Sequence, residues 1–332
     1  MKHSSIIPLT LTALATLTAF AGHQVADKNP APTDDPLPAG TVTAGGKFSE
    51  HLQSAWLDAL VPFARVGHVT LFGDLRGTWD DNSQLLFSTG LGARYLVPGH
   101  DIIIGGNVYY DYIDSQYNNH YDQLGLGAEL LTKWFDARFN YYMPDNGVHF
   151  AARGPGFFQL ESGLEGWNTE AGFLIPGLDK YVEARVFGGY YQYHSKVGVG
   201  YEGAKARAEI RWTPAITTDV EWWSNKELNG GHWVAGVRVS LPFEIGNLVK
   251  GQNPFAGAGD ALKFGKTREF KERLGETVWR SHRVQTAVSN PIRQPGRNGS
   301  NFNPTPTPSG TAPTAPTPTP RPPTPTPTPP PE

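Results

Sequence analysis

Residues 232–243 read HWVAGVRVSLPF. Side chains of a strand alternate between its two faces. Trp233, Ala235, Val237, Val239, Leu241 and Phe243 therefore form one wholly apolar wall that ends in an aromatic ring, while Gly236, Arg238 and Ser240 form a small or charged wall. A strand of this kind wants lipid on one side and water on the other. The pattern returns upstream. Lys205, Arg207, Glu209 and Arg211 alternate with Ala206, Ala208, Ile210 and Trp212, and Asp136, Arg138 and Asn140 alternate with Phe135, Ala137, Phe139 and Tyr141. A cation facing lipid at the bilayer midplane costs about 2–4 kcal/mol, so the charged faces must line a hydrated interior.

Similar segments run from Thr41, Ala55, Val69, Gln84, Ile102, Gln123, Phe135, Gly166, Tyr181, Ala204, Thr217 and His232. The expectation is an all-β fold: a transmembrane antiparallel β-barrel of about twelve strands, each long enough to cross the hydrocarbon at a tilt. The connections VPGH, TK, IPGLD and TPA are short, whereas WDDNS, DSQYNNHY, HSKVGVGYEG, NKELNGG and the stretch from Asp145 to Glu165 are longer and polar. Short turns face the periplasm and long loops face outward in such barrels. Both barrel ends are then periplasmic, and Asp145 to Glu165 is the largest outer loop.

Composition fits this reading. The 332 residues include 13 Tyr, 9 Trp and 38 Gly with 39% hydrophobic residues, and the mean hydropathy of −0.39 suits a wall in which only every second residue meets lipid. The absence of cysteine excludes disulfides, thiolate metal sites and lipoprotein attachment. A net charge of −3 points to neither nucleic acid nor a strongly acidic partner. Lys2 and His3 precede an apolar run from Ile6 to Phe20, and Ala19-Phe20-Ala21 has the small-x-small form of a signal-peptidase site. The expected organisation is a signal peptide over 1–21, cleaved after Ala21, a linker over 22–39, the outer-membrane barrel over 40–243, a post-barrel linker over 244–290 and a disordered Pro/Thr-rich tail over 291–332. Phe270, Leu274 and Val278 at four-residue spacing predict a short helix in the post-barrel segment, weakened by Gly275, and Val284 to Val288 reads as extended.

Residues 90–144 carry Gly90-Leu91-Gly92, Gly106-Asn107 followed by Tyr110-Asp111-Tyr112, Asn119-His120, Gly125-Leu126-Gly127-Ala128-Glu129 and Asn140-Tyr141-Tyr142. This stretch resembles the barrel of the inverse autotransporters, the intimin and invasin family, as do Gly172-Phe173-Leu174-Ile175-Pro176 and Trp212-Thr213-Pro214 further on. The resemblance implies a twelve-stranded barrel inserted by the barrel-assembly machinery, with a C-terminal continuation that threads back through the lumen and displays a passenger outside. Arg273-Leu274, Thr277-Val278-Trp279-Arg280 and Arg283-Val284 lie where the family's linker follows the barrel. No peptidoglycan-binding, immunoglobulin-like or lectin-like module is read here, which leaves the Pro/Thr tail as the candidate cargo. Lumen-side Gly90, Gly92, Gly105, Gly125, Gly127 and Gly236 either leave room for residues 244–290 or permit curvature and close strand packing.

Little in the sequence speaks for catalysis. The Gly-x-Gly pairs at Gly90, Gly125 and Gly198 do not open a helix, so no phosphate cradle is expected. The histidines lack paired zinc spacing. His149 with Asp145 and His120 with Asp122 can be drawn as dyads, but adjacency in sequence is weak support for an enzyme. Lumen-facing Arg138, Arg185, Arg207, Arg211 and Arg238 against Glu129, Glu170, Glu183, Glu209 and Glu221 read instead as a charge network. The expected function is an outer-membrane anchor and translocator that holds its C-terminal segment across the membrane and exposes it at the cell surface. A small channel or structural barrel without export is the alternative. No enzyme activity and no cofactor are expected. Expected partners are outer-membrane lipid and the barrel-assembly machinery, with peptidoglycan or lipopolysaccharide as candidate contacts and a monomeric barrel.

Overall fold

The computed structural model describes residues 37–49, 53–80, 85–225, 230–281 and 284–293. The expected signal peptide, its expected cleavage after Ala21, and the tail from residue 294 onward lie outside the described residues. Twelve antiparallel strands close into one barrel: β1 (Gly40–Phe48), β2 (Gln53–Val66), β3 (Val69–Asp80), β4 (Leu85–Leu96), β5 (Ile102–Asp114), β6 (His120–Thr132), β7 (Phe135–Pro144), β10 (Glu165–Leu174), β11 (Glu183–His194), β12 (Tyr201–Arg211), β13 (Ile216–Asn225) and β14 (Gly230–Phe243). Each strand pairs with the barrel strand next to it in sequence, and β1 closes the ring on β14 from Gly40 opposite Phe243 to Phe48 opposite Ala235. Closure leaves no edge for lipid to meet, so the ladder groups find their partners within the wall. Among the described residues no helix is long and apolar enough to cross a membrane.

Alternation carries through the wall, interrupted in β2 by an irregularity between Pro62 and Ala64. On β14, Trp233, Ala235, Val237 and Val239 are exposed on the outside and Leu241 and Phe243 are half-buried, while Gly236 and Arg238 are buried on the inside. Leu57, Leu75, Leu91, Ile104, Leu126, Phe139 and Val220 continue this outer apolar belt. Exposed aromatics rim both ends: Trp134, Tyr181 and Trp212 beside the short turns, and Phe48, Trp79, Tyr110 and Trp233 beside the long loops. Such rings suit the two membrane interfaces. Short turns are made by glycines in left-handed backbone, Gly99 at φ 74° and Gly177 at φ 88°, where other residues would be strained.

The long connection between β7 and β10 is itself folded. It forms a hairpin, β8 (Val148–Gly154) and β9 (Phe157–Gly163), turning at Gly154-Pro155-Gly156. The post-barrel segment adds two short strands to the free side of β9. In β15 (Thr286–Val288), Thr286 lies opposite Gly163 and Val288 opposite Glu161. In β16 (Ile292–Arg293), Ile292 lies opposite Phe158. Earlier in that segment are α1 (Ile245–Val249), α2 (Ala258–Ala261) and one 3-10 helix, Phe270–Gly275.

The spacing of Phe270, Leu274 and Val278 thus yields a single 3-10 stretch rather than a helix reaching Val278. Its carbonyls are taken by the wall. Arg94 Nη1 donates to the carbonyl oxygens of Arg273, Leu274 and Glu276 at 3.2, 3.0 and 2.6 Å, and Thr41 Oγ1 donates to that of Gly275 at 2.7 Å. Those oxygens would have to accept the next helical turn. Gly275 also lies so close to the Ala39 carbonyl that no Cβ would fit.

Candidate functional site: the filled lumen

Residues 268–281 and 284–288 lie along the inside of the strand ring, and their contacts with the wall can be traced from the short-turn end to the long-loop end. Arg268 bonds Glu183 with both Nε and Nη2 at 2.8 Å. Arg273 grips Asp136 with Nη1 at 2.8 Å and Nη2 at 2.7 Å, and reaches the Thr132 carbonyl at 2.7 Å. Thr277 donates to Asp58 at 3.1 Å. Arg280 grips Asp111 through both terminal nitrogens at 2.7 Å, and the Ser281 N–H donates to the Tyr142 hydroxyl at 2.8 Å. At the outer end the Leu164 N–H donates to the Gln285 carbonyl at 2.8 Å, and the Ser289 N–H to that of Leu160 at 2.7 Å.

Apolar side chains from the same segment fill four separate layers of the lumen. Leu274 packs with Ile103 and Leu131. Val278 joins Leu60, Phe72 and Tyr109. Val284 joins Leu86, Ile113 and Tyr121, and Ala287 joins Leu164, Tyr142, Tyr191 and Tyr193. Between these layers Trp279 meets cations of the wall, with the Arg207 guanidinium 3.9 Å from its ring centre and Lys47 and Arg238 each at 5.2 Å. The same Arg207 guanidinium also lies 3.9 Å from the Phe187 ring centre, so it contacts two aromatic rings at once. Cation–π pairing is strongest where water is excluded.

Arg138, Arg207, Glu209, Arg211 and Arg238 are all buried. Arg207 pairs with Glu170 and Glu209 at 2.5 Å, and Arg238 with Glu209 at 2.8 Å and Asp219 at 3.2 Å. Arg138 lies between Asp136 and Glu170 at 3.2 and 3.4 Å, and Arg211 reaches the Pro214 carbonyl at 3.0 Å. Outward-facing Trp233, Val237, Val239, Leu241 and Phe243 take no part in this network. The residues that sequence reasoning missed are Arg94, Asp58, Asp111 and Asp136 as linker contacts. Strand alternation alone would have turned Arg94 inward with Gly90 and Gly92.

The inward glycines serve mostly their own wall. A Cβ at Gly90 would meet Tyr109, at Gly92 Phe72, at Gly105 Glu129, at Gly127 Asn107 and at Gly236 Asp219. Gly125 is different, because a Cβ there would land on the Arg280 guanidinium of the linker. Near the short-turn end a cavity of about 420 Å³ remains, lined in part by Lys47, Arg76, Arg211, Lys266 and Glu272.

Of the two dyads drawn from sequence, one is re-partnered, and in the other His149 lies near enough to Asp145 to lower its carboxyl against the effect of burial. His120 Nδ1 is paired with Asp114 rather than Asp122, and Asp122 accepts from the Tyr110 hydroxyl at 2.5 Å. His149 packs edge-on against Tyr121 at 5.3 Å, and burial pushes the Asp145 carboxyl above its ordinary value. Among the described residues no cluster of three or more potential ligands could hold a metal.

A closed ring with an apolar belt, two aromatic rims and a charged interior defines an outer-membrane β-barrel. The model of the family described as inverse autotransporter, beta-domain matches residues 37–260, and the chain belongs to that family. No curated protein matches. Among solved structures, a chain reported under "Unveiling the Mechanism Behind the in-meso Crystallization of Membrane Proteins" aligns over 76% of this chain and 100% of its own, at 18% identity and a TM-score of 0.58. An outer-membrane channel from Pseudomonas putida F1 covers 66% of this chain and 100% of its own at 11% identity and a TM-score of 0.46. Omp33 of Acinetobacter baumannii covers 63% and 100% at 9% identity and 0.38.

Proposed function

We propose that the protein anchors and exports its own C-terminal segment, holding the post-barrel chain across the outer membrane and exposing the residues beyond it at the cell surface. The observation that carries this reading is the set of points at which the linker is held. It is bound to Asp136 beside a short turn, to Asp111 further along, and to β9 of the largest loop at the other end. Short turns are periplasmic and long loops external, so a chain held at all three points emerges outside. Insertion by the barrel-assembly machinery belongs to the same reading.

A tag placed after Glu332, followed by protease treatment of intact cells, tests it. Export requires loss of the tag while a periplasmic marker survives. A tag that stays protected until the envelope is opened defeats export and favours a barrel without a displayed passenger.

A further inference from the structure

The chain does not pass directly from β14 into the lumen. Between Phe243 and Arg268 it makes a detour at the short-turn end, held by Phe255 against Phe243 at 5.4 Å, by the Glu244 N–H donating to the Pro254 carbonyl at 2.9 Å, and by the Ala215 N–H donating to the Ala261 carbonyl at 3.0 Å. Within this detour α1 contacts β2; it follows Phe243, which sits opposite Gly40 at the short-turn end, the end at which β2 finishes at Val66. That end runs past β1, whose pairing with β2 begins at Thr41 opposite Leu60. α1 therefore lies at the rim of the wall.

α1 buries nothing. Leu248 is 53% exposed and Val249 83%, and the neighbouring end of β2 presents Phe63 at 51% and Val66 at 70%. Water does not favour apolar side chains exposed side by side on two contacting elements. The outer belt of the barrel, already lipid-facing, ends at this patch, so the surface that covers the belt continues onto it. Lys250 comes directly after and can extend its ammonium toward phosphate while its stem stays apolar.

We propose that α1 is an interfacial foot that inserts Leu248 and Val249 into the phospholipid of the periplasmic leaflet, beside Phe63 and Val66. An amphipathic turn placed at this depth binds through its apolar face. The foot fixes the point where the chain leaves the wall, so only the residues beyond it are free to occupy the lumen. This inference rests on the barrel and its orientation and is independent of export.

The chain has no cysteine, so Val249→Cys gives a single thiol for a bimane label on the full chain in phosphatidylethanolamine/phosphatidylglycerol vesicles. Phe139→Cys on the outer belt and Val199→Cys on a long loop serve as references, 47% and 53% exposed. Brominated acyl chains should quench the Val249 label at least about half as strongly as the Phe139 label, and aqueous iodide should quench it about fivefold less than the Val199 label. A Val249 label that behaves like the Val199 label overturns the proposal. So does shielding that grows with protein-to-lipid ratio and gives energy transfer between copies, which would mean a second chain covers the patch. Leu248→Gln/Val249→Gln should keep heat-modifiable gel mobility while trypsin cuts after Lys250 about fivefold faster, and an unchanged cutting rate in the folded variant also counts against the foot.

Discussion

Arg280→Ala removes the cation from a fully enclosed pair. Arg280 and Asp111 side chains are each 1% exposed, joined by two bonds of 2.7 Å, and the guanidinium lies 4.4 Å from the Tyr109 ring centre. After truncation Asp111 keeps a neutral donor, Gln123 Nε2 at 3.0 Å. Breaking a buried pair from one side costs about 3–5 kcal/mol because the remaining charge is stranded. Water from the nearby cavity can relieve part of this, so the lower end applies. At 1.4 kcal/mol per tenfold, about 3 kcal/mol raises the ratio of undocked to docked linker about a hundredfold. Single-channel recording of the purified chain in planar bilayers reads that ratio as open probability. Arg280→Met/Asp111→Leu, which replaces the pair with apolar groups, should return closure to within about tenfold of the parent. An Arg280→Ala protein that inserts normally yet opens no more than about twofold above the parent would refute the reasoning that this pair holds the linker.

Gly125→Ala should open the pore in the same direction but about tenfold less than Arg280→Ala, because the new Cβ displaces the guanidinium without stranding Asp111; added to Arg280→Ala it should change nothing, and additive effects in the recordings would show that the glycine acts elsewhere. Ser289→Pro deletes the N–H that bonds Leu160 and the hydroxyl that accepts from it, so trypsin on intact cells should cut after Arg293 about tenfold faster with the barrel's gel mobility unchanged. Because the folded Asp145 carboxyl is raised above the unfolded value of 3.8, its charged form opposes folding of the loop above the folded value, and the penalty disappears as pH falls below the unfolded one. Asp145→Asn should therefore slow hydrogen exchange in the β8–β9 hairpin at pH 7 relative to the parent and leave it equal at about pH 3, whereas faster exchange at pH 7 would contradict the sign. A chain ending at Phe243 should still form the heat-modifiable ring, since the β1–β14 ladder closes without the linker, but should conduct continuously; failure to form the ring in vesicles would show that the linker is needed to build it.

The wall is legible in the sequence because every position on it answers to a single alternation, lipid on one side and water on the other. Trp233 and Arg238 point in opposite directions for that reason alone, and the ladder simply preserves the order in which such strands occur. The linker obeys no comparable rule. Its apolar residues are spaced by the layers of the lumen they fill, and Leu274 and Val278 share four-residue spacing while sitting in different clusters. That spacing imitates a helix, and what ends the helix is the guanidinium of Arg94, 179 residues away in sequence from its first carbonyl partner. The outer hairpin is readable in principle from Gly154-Pro155-Gly156 between FAAR and FFQL, but its pairing with Thr286–Val288 is a long-range choice that local sequence does not encode. Asp111 stands out in the sequence only as part of a Tyr-Asp-Tyr string, although alternation already places it inside.

Ion pairs and apolar contacts divide the work of holding the linker. Small apolar groups such as Val278, Val284 and Ala287 tolerate a slipped register, because a neighbouring layer offers a similar surface. A bidentate Arg–carboxylate pair does not, since both bonds are lost with a shift of one residue. Arg273 on Asp136 and Arg280 on Asp111 are two such points, seven residues apart along the segment. Two fixed points on one extended chain set both its register and its direction, which a single point would leave open. The same pairs also suit a chain that must move before it docks. The apolar layers of the wall are separated by charged and polar side chains, and each guanidinium can exchange water for carboxylate only when it reaches its own partner. On the export reading, selectivity for the final position therefore resides in Asp136 and Asp111, while the apolar layers seal the lumen once that position is reached.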